Sequence, residues 1–317
     1  MYLNLCFLLG GLIFAGQAIG GRINESNPPR GTIMVEPGKG TLSAALAKLK
    51  NRSGPQAILL KAEICSGDYY DNAVLEGFNG GVVIQGARGN SKGYQFNRVK
   101  IISSKKGLDE ASALRVMTNN VEVYSITFIN NFGTGQDTQA VALTADGNNH
   151  RGKVTQMFQT VYGQCSFQGY QDTLYDKSGT HFFDECEIRG AIDFIFGAAR
   201  SFYLNAHIGI VKSVAGGTQI VTANRGGIFV FQSPNFDDIN GAPAQSTYYG
   251  RAWGENPKVV MQHAKPPASL SKEGWNMTPA GNFKFSSAGF LEYPKSQTTN
   301  GHTSPKAYTK QEIFGKP

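Results

Sequence analysis

Two aspartates occupy matching places in a repeated stretch: Asp172 in Gly169-Tyr170-Gln171-Asp172-Thr173-Leu174-Tyr175, and Asp193 in Gly190-Ala191-Ile192-Asp193-Phe194-Ile195-Phe196-Gly197. Each stands seven residues after a cysteine, Cys165 and Cys186, so acids and cysteines are both 21 residues apart. If 21 residues make one turn of a solenoid, the carboxylates stack one strand spacing apart, about 4.8 Å. Acids that close do not ionise alike, because the second proton leaves against the charge of the first. A pair divided in this way can split an ester or a glycosidic bond. Spacing alone also fits turn or ladder aspartates. Other chemistry has less support. Gly89-Asn90-Ser91-Lys92-Gly93 matches the serine-hydrolase elbow G-x-S-x-G, but it leads from a polar loop into a strand-like run rather than from strand to helix. No His/Cys/Asp/Glu cluster has zinc spacing, so any chemistry is expected to be carboxylate chemistry.

The elements that would position these acids are short and regularly spaced. Ser125-Ile126-Thr127-Phe128, Gln164-Cys165-Ser166-Phe167, Glu185-Cys186-Glu187-Ile188 and Asn205-Ala206-His207-Ile208 are offset by 39, 21 and 20 residues, close to two, one and one turns of a coil of about 20 residues. Alternation sends Ile126, Cys165, Cys186 and Ala206 to a common core. Val82–Ile84, Val99–Ile102, Ala140–Leu143, Gln219–Thr222, Ile228–Phe231 and Val259–Gln262 fit as further strands. Few Asn-Gly or Asp-Gly turns join paired runs, which argues against a propeller or sandwich. The reading is an all-β, single-stranded, right-handed parallel β-helix. Thr41 to Lys50 reads as a short amphipathic helix with Thr41 as N-cap and Leu42, Ala45, Leu46 and Leu49 on one face, plugging the open end. The stretch after about Ala264 is rich in Pro, Ser, Thr, Asn and Gly and is expected to form long loops. No linker divides residues 21–317, which are read as one domain.

The chain of 317 residues carries a net charge of +7 with pI near 9.1, a balance suited to a polyanionic partner. No Lys/Arg run of five marks a nucleic-acid tract. Met1 to Gly20 is uncharged in its side chains, with an apolar run from Leu5 to Ala15 and small residues at Gly16, Ala18 and Gly20. It is read as a secretory signal peptide, too short and glycine-broken for the ~20 apolar residues of a span. Cys6 leaves with it. The 21-residue spacing makes Cys165 and Cys186 the expected disulfide, with Cys65 buried and free. Sequons stand at Asn24, Asn51 and Asn276.

Gln139-Ala140-Val141-Ala142-Leu143, Gly169-Tyr170-Gln171-Asp172-Thr173-Leu174, Asp193-Phe194-Ile195-Phe196-Gly197 and Gly250-Arg251-Ala252-Trp253 together resemble, in order and spacing, the signature segments of pectin methylesterases. The resemblance runs from about Ile33 to Tyr293. It implies a β-helix that removes methyl groups from esterified homogalacturonan, with Asp193 as nucleophile, Asp172 as general acid then base, and Gln139 and Gln171 as oxyanion donors. It further implies that Arg251 holds Asp193 and that Trp253 lines the sugar groove, while Tyr170, Phe194, Phe196 and Trp275 are candidate aromatic subsites, the two phenylalanines divided between core and groove. Departures are Asp71 where the family usually has Glu, Ala252 for Pro and Met277 for an aromatic. Ala252 would loosen the loop that holds Arg251.

The resulting expectation is a secreted, cofactor-free, monomeric pectin methylesterase of the extracellular space or cell wall, without nucleic-acid or membrane partners. Its rivals are an inactive β-helix that only binds acidic wall polysaccharide, and a lyase or polygalacturonase on the same fold.

Overall fold

The computed structural model describes residues 22–63, 66–78, 80–88, 92–135, 137–147, 160–214 and 216–315. The expected leader, Cys65 and Ser91 lie outside them. Among the described residues the strands form three parallel sheets of eleven, eight and eight strands, and between Gln56 and Ala252 each coil contributes one short strand to each sheet in turn. The chain is therefore a parallel β-helix. No helix among these residues is long and apolar enough to cross a membrane.

Alternation builds the core. Ile126, Cys165, Cys186 and Ala206 all point inward and are fully buried. The inter-coil spacing brings like residues into stacks: Tyr162, Phe183, Tyr203 and Phe231 lie nearly parallel with centroids 4.8, 4.5 and 4.3 Å apart. Each buried ring contributes roughly 2–3 kcal/mol of hydrophobic stabilisation. The corner between the first and second sheets is turned by one left-handed residue at Ser125, Gln164, Glu185, Asn205 and Ser233, and His263 takes the same conformation after its first-sheet strand, all with φ between 50° and 56°. Polar side chains reach outward from this corner, and the next residue enters the core.

Cys165 and Cys186 are not joined; both thiols are free and buried. The spacing argument placed them correctly on adjacent coils, since Ser166 pairs with Glu187. In-register parallel neighbours, however, hold their Cα–Cβ bonds parallel, which keeps the Cβ atoms near the strand spacing of about 4.8 Å, beyond the ~3.8 Å a disulfide needs. The thiols instead reach carbonyls, Cys165 Sγ to Val123 O at 3.5 Å and Cys186 Sγ to Tyr162 O at 3.3 Å.

The capping helix spans Thr41–Ala47 and tightens into a 3-10 turn at Lys48–Asn51, with Leu42, Ala45, Leu46 and Leu49 buried. Its N-cap is Gly40 in the left-handed region, not Thr41. The end is held by Asp71, which accepts from Ser43 N at 3.0 Å and Ser43 Oγ at 2.5 Å. The C-terminal stretch does run in long loops, yet it adds three short strands, Trp275–Asn276, Phe290–Tyr293 and His302–Thr303. A helix at Lys310–Phe314 follows, closed by a Thr309/Glu312 capping box.

Candidate active site

The site forms where consecutive coils turn from the second sheet into the third. Gln139, Gln171 and Ile192 pair as single bridges, one above another. Asp172 and Asp193 come next in their coils and both take left-handed backbone, φ 60° and 50°, which aspartate tolerates better than most residues. Three residues before each acid is a glycine at a close approach. A Cβ on Gly169 would lie 2.7 Å from Thr173 Oγ1, and one on Gly190 would lie 2.2 Å from Phe194 Cβ. Gly190 thus lets Phe194 fold inward, where it is fully buried in the core.

Beyond the corner the third sheet presents alternate residues outward. Thr144, Tyr175, Phe196, Ala223, Arg251 and Asn276 are register partners on successive coils. Ala223 lies between Phe196 and Arg251 and has almost no side chain. The Arg251 side chain lies over that gap to reach Asp193, two coils away, and grips it with a fork: Nε donates to Oδ1 at 2.8 Å and a terminal nitrogen to Oδ2 at 2.5 Å. Bidentate charge-assisted pairs of this kind are among the strong ones.

Asp193 is 6% exposed and Asp172 partly exposed. Burial raises the Asp193 carboxyl above the usual carboxylate range, and the two bonds from Arg251 pull it back. Asp172 is pushed well above that range, first by burial and then by the neighbouring Asp193 charge, with only a distant pull from Arg251. Asp193 therefore ionises first and Asp172 keeps its proton to higher pH. Arg251 is in turn held charged by Asp193 against the cost of its own burial.

Both acids open into a groove of about 660 Å³, lined also by Gln139, Gln171, Phe196, Ala223, Arg251 and Trp253. Leu108 and Pro279 to Gly281 complete the lining. The Gln171 carbonyl accepts from Thr138 N at 3.1 Å, which fixes the amide and leaves its NH2 end for the groove. Trp253 stands edge-on to Phe196, centroids 5.5 Å apart, and Phe196 stacks flat on Tyr175 at 4.3 Å. Tyr170 lies beside the groove, in a smaller hollow of about 150 Å³ that shares Arg251, with its hydroxyl held by Ser213 and Val214 N.

Of the residues expected from sequence, the structure brings Asp172, Asp193, Gln139, Gln171, Arg251, Trp253 and Phe196 into one groove and sets Tyr170 at its margin. It does not bring Phe194 or Trp275 there. Trp275 is fully buried, stacked 4.7 Å from Phe290, with its indole N–H on Glu292. Ala252 is buried at the end of strand Thr247–Ala252, and its carbonyl accepts from Ala280 N at 2.8 Å. Tyr175, Leu108, Ala223 and Thr138 went unmarked. Tyr175 was within reach, since alternation from inward Leu174 sends it outward. No group of three or more His, Cys, Asp or Glu among the described residues is placed to hold a metal ion.

The structure thus sets one clamped and one unclamped carboxylate beside two neutral amides in an open, aromatic-flanked groove of a parallel β-helix. The chain belongs to the pectinesterase family: the family model Pectinesterase matches residues 36–305. It is 31% identical over 290 residues to "Probable pectinesterase A" of Neosartorya fischeri, covering 86% of this chain and 82% of that one. It is 29% identical to pectinesterase A of Emericella nidulans, covering 98% and 92%. The crystal structure of an Aspergillus niger pectin methylesterase shares the fold, with a TM-score of 0.74 at 23% identity over 91% of this chain and 95% of that one.

Proposed function

We propose that this protein hydrolyses the methyl esters of homogalacturonan through a covalent intermediate on Asp193. The observation that carries the assignment is that Arg251 clamps one acid of the pair and not the other. The clamped acid is the ionised nucleophile. Its carboxylate adds to the ester carbonyl, and the charge that develops on oxygen is met by the amide N–H groups of Gln139 and Gln171, each worth roughly 3 kcal/mol if well placed. Collapse breaks the bond to methoxide, which takes the Asp172 proton and leaves as methanol. Asp172, now a carboxylate, removes a proton from water, and the hydroxide attacks the acyl group on Asp193. Asp193 departs as a carboxylate, Asp172 is again protonated, and the galacturonic acid product gives its proton to solvent.

The same reading makes the protein a secreted monomer with residues 21–317 as one domain. N-terminal sequencing of material from culture medium tests the first point, with Ile19 or Gly21 expected as the first residue.

Methanol release from highly methylated pectin by the wild type, but not by Asp193→Ala, with reducing ends and unsaturated products unchanged, is the expected result. Bound pectin with no methanol from either protein would favour the inactive binding protein, and chain shortening would favour a lyase or polygalacturonase.

A further inference from the structure

One buried amide holds the segment that carries Gln139. Asn130 ends the strand Ile126–Asn130, where alternation from Ile126 and Phe128 turns it inward, and it is 4% exposed. Its Nδ2 donates to three backbone carbonyls, Lys105 O at 2.9 Å, Ala111 O at 3.1 Å and Val141 O at 3.0 Å. Its Oδ1 accepts from Phe132 N at 3.1 Å. The amide thus grips both ends of two neighbouring loops, Lys105 with Ala111 and Phe132 with Val141. A carboxylate of the same shape has no N–H to offer those carbonyls, and a hydrocarbon withdraws all four bonds.

Gln139 lies between the held ends of the second loop, and the first loop pairs with it directly. Gly107 N donates to the Gln139 carbonyl at 2.7 Å, and Val141 N donates back to Gly107 O at 3.4 Å. Gly107, with φ 123°, bridges Ala140 and lines the groove together with Gln139. The loops are therefore tied to each other at Gly107 and to the core at Asn130. Side-chain direction follows the backbone, so what fixes the backbone of Gln139 also fixes where its amide points. On the reading of Gln139 as an oxyanion donor, that aim carries rate, because a displacement of about 1 Å can cost as much as about 100-fold.

We propose that Asn130 is a positioning residue for the oxyanion site, aiming the Gln139 amide through the backbone from within the core. Asn72 supplies the contrast. Its Nδ2 donates to Ser103 Oγ at 2.8 Å and to the Ala111 and Ser112 carbonyls at 3.3 and 3.0 Å, so it braces the first loop, and none of these bonds reaches the segment of Gln139.

The test is a double-mutant cycle. Methanol release from highly methylated pectin gives kcat and KM for wild type, Asn130→Ala, Gln139→Ala and the double variant, with Asn72→Ala beside them and a thermal melt of each. Expected are a roughly 10-fold fall in kcat for Asn130→Ala with KM within about two-fold of wild type, and a further fall of less than about two-fold when Asn130→Ala is added to Gln139→Ala. Asn72→Ala should melt lower yet keep the wild-type kcat. Should Asn130→Ala fail to fold, Asn130→Ser, which retains a hydroxyl donor, takes its place in the cycle with a smaller fall and the same dependence on Gln139. Equal losses in both backgrounds, an unchanged kcat, or a matching loss of kcat in Asn72→Ala would overturn the positioning role and leave Asn130 a structural residue. Gln139→Ala with wild-type kcat would overturn the oxyanion reading on which the inference rests, a separate outcome.

Discussion

Arg251→Lys keeps the charge beside Asp193 and removes the fork. The guanidinium gives Asp193 two bonds, at 2.8 and 2.5 Å, from a ladder position two coils away across Ala223. An ammonium is a compact point charge on a flexible stem, so the variant loses at least one charge-assisted bond, about 1.5–3 kcal/mol. If that bond is fully used in orienting and ionising the nucleophile, kcat/KM falls roughly 10- to 100-fold. The pH profile supplies a second readout. Burial raises Asp193 and Arg251 opposes it, so weakening the opposition moves the acid-side limb, where Asp193 must lose its proton, to higher pH. Initial rates of methanol release across pH measure both, with a thermal melt to verify the fold. Activity within two-fold of wild type and an unmoved acid limb would refute the view that Arg251 sets the charge and aim of Asp193.

Gln171→Ala removes an N–H donor held by Thr138, and should lower kcat about 100-fold with little change in KM; a loss confined to KM would make Gln171 a binding residue only. Asp172→Asn should be inactive yet melt at higher temperature than wild type at neutral pH. Folding raises the Asp172 carboxyl above its unfolded value of about 4, so the native state holds the proton longer and wild-type stability falls as pH rises from there through the folded value; the gap should close in acid, and a gap that is constant with pH would contradict this. The two tryptophans should separate: Trp275→Ala, in the core, should destabilise by about 3–5 kcal/mol in urea melts, whereas Trp253→Ala should mainly raise KM. Equal effects on stability would undo that division.

The coil was legible because its corner repeats. One left-handed polar residue followed by one small or apolar inward residue recurs at Ser125/Ile126, Gln164/Cys165, Glu185/Cys186 and Asn205/Ala206, and such a local rule survives in sequence. The acid pair was legible for the same reason. What failed depended on partners distant in sequence. The expected strand Ala140–Leu143 lies at Leu143–Asp146, since Gln139 and Ala140 make only isolated bridges as the chain rounds the corner beside the groove. Thr41 had the right chemistry for an N-cap, but Asp71, 28 residues past Ser43, supplies the oxygen instead. Trp275 and Trp253 look equivalent in sequence, and only the coil register shows that one faces Phe290 and the other Phe196. Spacing fixed the proximity of Cys165 and Cys186 but not the parallel direction of their side chains, which forbids the bond.

Stacking by itself makes the two aspartates equivalent: same corner, same backbone, adjacent coils. A symmetric pair has no fixed donor and no fixed nucleophile, so the asymmetry must come from outside the repeat. It enters through Ala223, the smallest residue in a column otherwise occupied by Thr144, Tyr175, Phe196, Arg251 and Asn276. A larger side chain there would fill the groove and stand between Arg251 and Asp193. With alanine there, Arg251 reaches the nearer acid and opposes the rise that burial imposes on it, while the other acid is held well above the usual carboxylate range. The fold therefore supplies proximity, and a gap in one ladder lets a single carboxylate of the pair be clamped. Ala223→Val or Leu, which preserves β-propensity and every catalytic group, should then cost activity by displacing Arg251, with the acid limb of the pH profile moving up as it does in Arg251→Lys. An Ala223→Leu enzyme with wild-type rates and profile would show that the asymmetry arises elsewhere.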